Sequence, residues 1–73
     1  MNFSADEVER FYLAAVKSRD TMVVQIMLSL VEEEGGINFQ INAVDDYEKS
    51  ALRIAIENEH EEMCRILLSH NVT

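Results

Sequence analysis

Proline and tryptophan are absent from this 73-residue chain, glycine occurs twice and cysteine once, and six Lys and Arg stand against fourteen Asp and Glu. Each shortage excludes something. A single thiol, Cys64, can form no internal disulfide, so nothing points to a stapled secreted scaffold. A net charge of −8 argues against an electrostatic nucleic-acid binder and against docking on anionic lipid. The two glycines are adjacent, Gly35-Gly36, and make no phosphate loop and no Gly-x-Ser-x-Gly elbow. No His-Glu-x-x-His and no Asp-x-Asp-x-Asp-Gly calcium loop is present. The expectation is a chain with no catalysis, no cofactor and no metal. No apolar run approaches the ~20 residues of a membrane span, and Met1-Asn2-Phe3-Ser4 does not open a basic-then-apolar signal peptide. A cytosolic, reduced location is the default.

What is present is helical patterning, with 48% apolar and 27% charged residues, enough for one small soluble domain. Ser4 and Glu7 read as a capping box, the Glu7 side chain returning to the Ser4 amide. Behind them Val8, Phe11, Tyr12, Ala15 and Val16 run at helical spacing, predicting a helix over 5–18. Asp20 or Thr21 caps a second helix to about Glu33. Val23, Val24, Ile26, Met27, Leu28, Leu30 and Val31 make that helix apolar nearly all round, the mark of burial on more than one side. Ser50 caps a third helix whose stripe is Leu52, Ala55 and Ile56. Asn58-Glu59-His60 breaks it, and Met63, Ile66 and Leu67 restart it, with Cys64 and Leu68 widening the face. Helices this short are not stable alone, so the pairs must lean on each other.

Sliding the sequence by 40 residues lays Ala15 on Ala55, Val16 on Ile56, Val23 on Met63, Ile26 on Ile66, Met27 on Leu67 and Leu28 on Leu68. The apolar pattern repeats although few identities survive. The segment between is a longer loop in which Gly35-Gly36 stops the helix and Ile37, Phe39 and Ile41 alternate in an extended run. The fold class expected is all-α: two helix-turn-helix hairpins, repeat one over about 5–34 and repeat two over about 45–73, joined by a loop over 35–44 and a finger.

Asp45, Ser50-Ala51-Leu52-Arg53, Ala55-Ile56, Glu59-His60 and Met63-Cys64-Arg65-Ile66-Leu67-Leu68 fall in the order of an ankyrin repeat. The wording Ser50 to Glu59, with Ile41-Asn42-Ala43-Val44-Asp45 before it and Leu67-Leu68-Ser69-His70-Asn71 after it, resembles the amino-terminal ankyrin region of the TRPC and insect TRP families of transient receptor potential cation channels. The resemblance is strong over about 38–72 and weaker, in register, from Glu7. It implies a cytoplasmic segment of a calcium-permeable channel at the plasma membrane. Such a segment would contact further ankyrin repeats, channel subunits or cytosolic regulators, and would touch neither nucleic acid nor the membrane directly. Where the family has Pro-Leu-Gly-Arg, this chain has Asp46-Tyr47-Glu48-Lys49. Its glycine serves a turn position that, if it needs positive φ, would strain Glu48.

The candidate interaction residues are the finger, Asp45, Asp46, Tyr47, Glu48 and Lys49, with Arg53 and Glu57 on the inner helix. Tyr47 stands out as an aromatic on a tip with no core to bury it. Cys64, Ile66, Leu67 and Leu68 are expected to form an exposed apolar end that meets the next repeat or drives self-association. His60 and Cys64 at i, i+4 lack further ligands and read as a turn histidine bonding between repeats and a buried thiol. Glu57, Glu59, Glu61 and Glu62 read as a solvated acidic face. Met27 and Met63 read as core filling. The alternative reading is a free-standing small acidic adaptor or inhibitor in the cytosol.

Overall fold

In the computed structural model, residues 4–33 and 39–72 are described, and they fold as four helices: α1 (Ala5–Lys17), α2 (Thr21–Glu32), α3 (Ala51–Glu57) and α4 (Glu61–Ser69). Three of the four starts follow from a side-chain cap. Extended Ser4 accepts from the Glu7 amide at 3.2 Å, Asp20 accepts from the Val23 amide at 3.2 Å, and Ser50 accepts from the Arg53 amide at 3.3 Å. The Glu7 carboxylate takes the Ser4 hydroxyl, at 3.2 Å, instead of the expected backbone amide.

The helix ends repeat one another. After α1, the Arg19 amide donates to Val16 O and the Asp20 amide to Ala15 O; after α3, Glu59 donates to Ile56 O and His60 to Ala55 O. After α4, Asn71 and Val72 donate to Leu68 O and Leu67 O. These are Schellman turns, each with one left-handed residue: Arg19 at φ 63°, Glu59 at 54° and Asn71 at 63°. The match between the first two turns carries the 40-residue repeat from apolar class into backbone geometry.

The helices form two antiparallel hairpins, α1 with α2 and α3 with α4. The hairpins stack in register, α1 beside α3 and α2 beside α4. Between them lies one core in which Tyr12, Val16, Val24, Leu28, Met63, Leu67 and Val72 are fully enclosed. Full enclosure of such a side chain contributes about 1.5–3 kcal/mol. Tyr12 also holds the connecting chain: its hydroxyl donates to Ile41 O at 3.1 Å and its ring lies 5.0 Å from that of Phe39. Across the stack, Arg19 Nη1 donates to Asn58 O at 3.3 Å, and His70 Nδ1 sits 2.8 Å from Glu32 Oε1.

Several expectations change. In α1 the buried face includes Leu13, and Phe11 points outward at 61% exposure. In α2, Val24, Met27 and Leu28 are buried, whereas Met22 and Ile26 are exposed, so the helix is covered on one side here and not on several. In α3 the buried residues are Ala51, Ile54 and Ala55; Leu52 is half-buried and Ile56 exposed. Gly35-Gly36 and Ile37 lie outside the described residues. Phe39 is buried as the alternation predicts, but Ile41 and Asn42 sit in a turn, and the described residues contain no strand beyond the single Val44–Ser50 bridge. The Tyr12 hydroxyl takes the Ile41 carbonyl that a strand neighbour would have used.

Candidate protein-interaction site

The finger spans 44–50 and is closed by the antiparallel Val44–Ser50 bridge. Asp45 organises it. Its Oδ1 accepts the Tyr47 amide at 2.8 Å and the Lys49 amide at 2.9 Å, while its Oδ2 meets Lys17 Nζ of α1 at 3.1 Å. An aspartate bonding amides two and more residues ahead is a turn former by mechanism. The Lys49 amide is the main reason the Asp45 carboxyl is held below its ordinary range; it outweighs desolvation, and Lys17 and the Tyr47 amide add to it. Glu48 takes φ 60°, the left-handed conformation that glycine adopts most readily. Tyr47 projects at 77% exposure.

The seven predicted residues divide into two groups. Lys49 Nζ meets Glu57 Oε2 at 2.7 Å and Arg53 Nε meets Glu57 Oε1 at 3.4 Å, and the Lys49 ammonium chiefly lowers the Glu57 carboxyl. Asp45, Lys49, Arg53 and Glu57 therefore serve the finger and α3 themselves. Asp46, Tyr47 and Glu48 remain turned to solvent. The acidic residues of α4's first turn are solvated, Glu61 pairing with Arg65.

Sequence reasoning missed the opposite wall. Asp6, Glu9, Arg10, Leu13, Ala14 and Lys17, one face of α1, line a groove of about 260 Å³ with Val44, Asp45, Asp46 and Tyr47. Their spacing of three and four was a legible signal, hidden because the apolar stripe next to it drew the reading. Arg10 Nε meets Asp6 Oδ2 at 3.3 Å, and Glu9 Oε2 accepts the Gln40 amide at 3.1 Å.

The predicted apolar end needs redrawing. Ile66 and Leu67 face inward, at 9% and 0% exposure, because they pack against the first hairpin. Leu68 stays exposed, Cys64 and Leu52 pack half-buried against the core, and Ile56 stays exposed. The equivalent positions one repeat earlier are Leu28, Val24, Tyr12 and Val16, and all are enclosed by the second hairpin. His60 caps α4 by position only: its side chain makes no cap bond and its buried Nδ1 has no partner, contrary to the inter-repeat bond expected. Among the described residues no three His, Cys, Asp or Glu side chains gather into a metal site, and no helix is long and apolar enough to cross a membrane.

The chain is 42% identical over 64 residues to the short transient receptor potential channel 4 of Mus musculus and of Homo sapiens, and 36% identical over 66 residues to the transient receptor potential protein of Drosophila melanogaster. It is homologous to a segment of transient receptor potential channels. The aligned span is 88% of this chain and 6% of the mammalian relatives, and 90% of this chain and 5% of the fly protein. No family model and no solved structure matches the chain. The all-helical stack is compatible with ankyrin-like hairpins, and the resemblance to these channels holds.

Proposed function

We propose that the chain is an ankyrin-like assembly and protein-interaction segment of a calcium-permeable transient receptor potential channel. It lies on the cytoplasmic side of the plasma membrane and performs no catalysis itself. Its partners are further helical hairpins of the same type, neighbouring channel subunits and cytosolic regulators. One observation carries the reading. Val16 and Leu28 are 0% and 1% exposed under the second hairpin, while their equivalents Ile56 and Leu68 are 59% and 56% exposed. A stack in which each unit contacts only its neighbours leaves such a face for the next unit.

Light scattering on size-exclusion chromatography, with a thermal melt, tests this. The chain self-associates as its concentration rises, and the double variant Ile56→Asp, Leu68→Asp is monomeric with an unchanged melt, since neither side chain is in the core. A sharply melting monomer with a midpoint well above ~50 °C would instead favour a free-standing acidic adaptor.

A further inference from the structure

We propose that the groove between α1 and the finger receives an arginine-bearing, extended segment of a partner protein. The inference rests on the interaction reading above and gives the partner its chemistry. The groove contains its own two cations, and both are already engaged: Arg10 with Asp6 at 3.3 Å, and Lys17 with Asp45 at 3.1 Å. Two carboxylates keep uncompensated charge. Among the described residues, Glu9 accepts only a neutral amide, that of Gln40, and Asp46 has no ion pair. In a chain of net charge −8, the groove asks for a cation.

The rim narrows the class of cation. Tyr47 and Val44 are 77% and 53% exposed on the finger side, which offers an aromatic face and an apolar edge beside the Asp46 carboxylate. A guanidinium is weakly hydrated, stacks on aromatic rings and donates in the plane to carboxylates, all in one group, whereas an ammonium is a compact hydrated charge. Leu13 and Ala14 add apolar lining for a neighbour of that arginine. The receptor side is also preformed. Asp45 fixes the finger through two amides and Lys17, and Glu48 is held at φ 60° despite its β-carbon. Little ordering is left for the partner to impose on it.

The test is an NMR titration of the isotope-labelled chain with the blocked peptide acetyl-Gly-Arg-Leu-Arg-Gly-amide, beside versions carrying citrulline or lysine in place of arginine. Shifts confined to the groove face of α1 and to 44–47 are expected, with citrulline abolishing them and lysine weakening them. Tyr47→Ala is expected to weaken binding about two- to fivefold, the scale of one exposed cation–π contact. Glu9→Gln with Asp46→Asn weakens it further, and both substitutions keep side chains that bond as acceptors. Absence of binding, shifts spread evenly over α4's acidic residues, or indifference to Tyr47→Ala would each overturn the proposal. A failed titration beside a successful stacking experiment removes the arginine partner and leaves the assembly role standing.

Discussion

Glu48 shows how much a single backbone angle can decide. It holds φ 60° with a β-carbon, a conformation that costs such a residue roughly 1–2 kcal/mol relative to its relaxed form. Glu48→Gly is expected to stabilise the chain by about 0.5–1 kcal/mol after glycine's larger entropy in the unfolded state is counted, read as a higher urea midpoint; a lower midpoint refutes the strain. Tyr12 gives two further outcomes. Tyr12→Phe strips the Ile41 carbonyl of its donor and should cost about 1 kcal/mol. Burial raises the Tyr12 phenol above its ordinary value of 10.0, which means the folded state favours the neutral ring. That stability is fully present below about pH 10 and is lost as pH rises through the raised value. An alkaline melt beginning above pH 10 in the native chain and displaced in Tyr12→Phe would check it. At this scale the sequence was only half legible. The departure from glycine at 48 marked the positive φ, and the exposed Tyr47 followed from its polar neighbours. The Tyr12–Ile41 bond could not be read, because it depends on where a loop 29 residues away lands, and nothing local marked the His60 ring as unpartnered.

Among the elements, the two hairpins offer an internal comparison. Asp20 caps α2 with a 3.2 Å bond, and His60, its equivalent, caps α4 with none. His60→Asp is expected to supply that bond and remove a buried unpaired nitrogen, stabilising by about 1 kcal/mol. A loss in the thermal midpoint would show instead that the imidazole packs better than it bonds. Helix number, order and starts were legible because caps and apolar spacing are local. Which apolar residues face inward was less so. Leu52 and Ile56 form as good a stripe as Ala51, Ile54 and Ala55, yet only the latter are buried; Leu52 packs half-buried at the edge of the core and Ile56 is exposed. A helix between two neighbours has two apolar faces, and periodicity cannot tell the filled one from the open one.

For the whole molecule, charge is the dominant long-range term. Fourteen acids against six bases repel one another, so raising the salt concentration should raise the melting temperature even though it weakens the surface ion pairs. A fall would mean that the pairs Lys49–Glu57 and Lys17–Asp45 outweigh the repulsion. The groove was the least legible part of the site. It exists only where α1 and the finger, some thirty residues apart, are brought side by side. The matching turns have one more consequence. The two Schellman hydrogen bonds that close the first hairpin's turn lie within the six residues 15–20, so α1 and α2 can pair before α3 has been made. At ribosomal speeds of ~5–20 residues per second, the 40 residues separating equivalent positions take about 2–8 s to follow. During that interval Val16, Val24 and Leu28 lack the second hairpin that encloses them. The nascent chain is most exposed to mispairing and to chaperone capture then, and the arrival of α3 and α4 ends it.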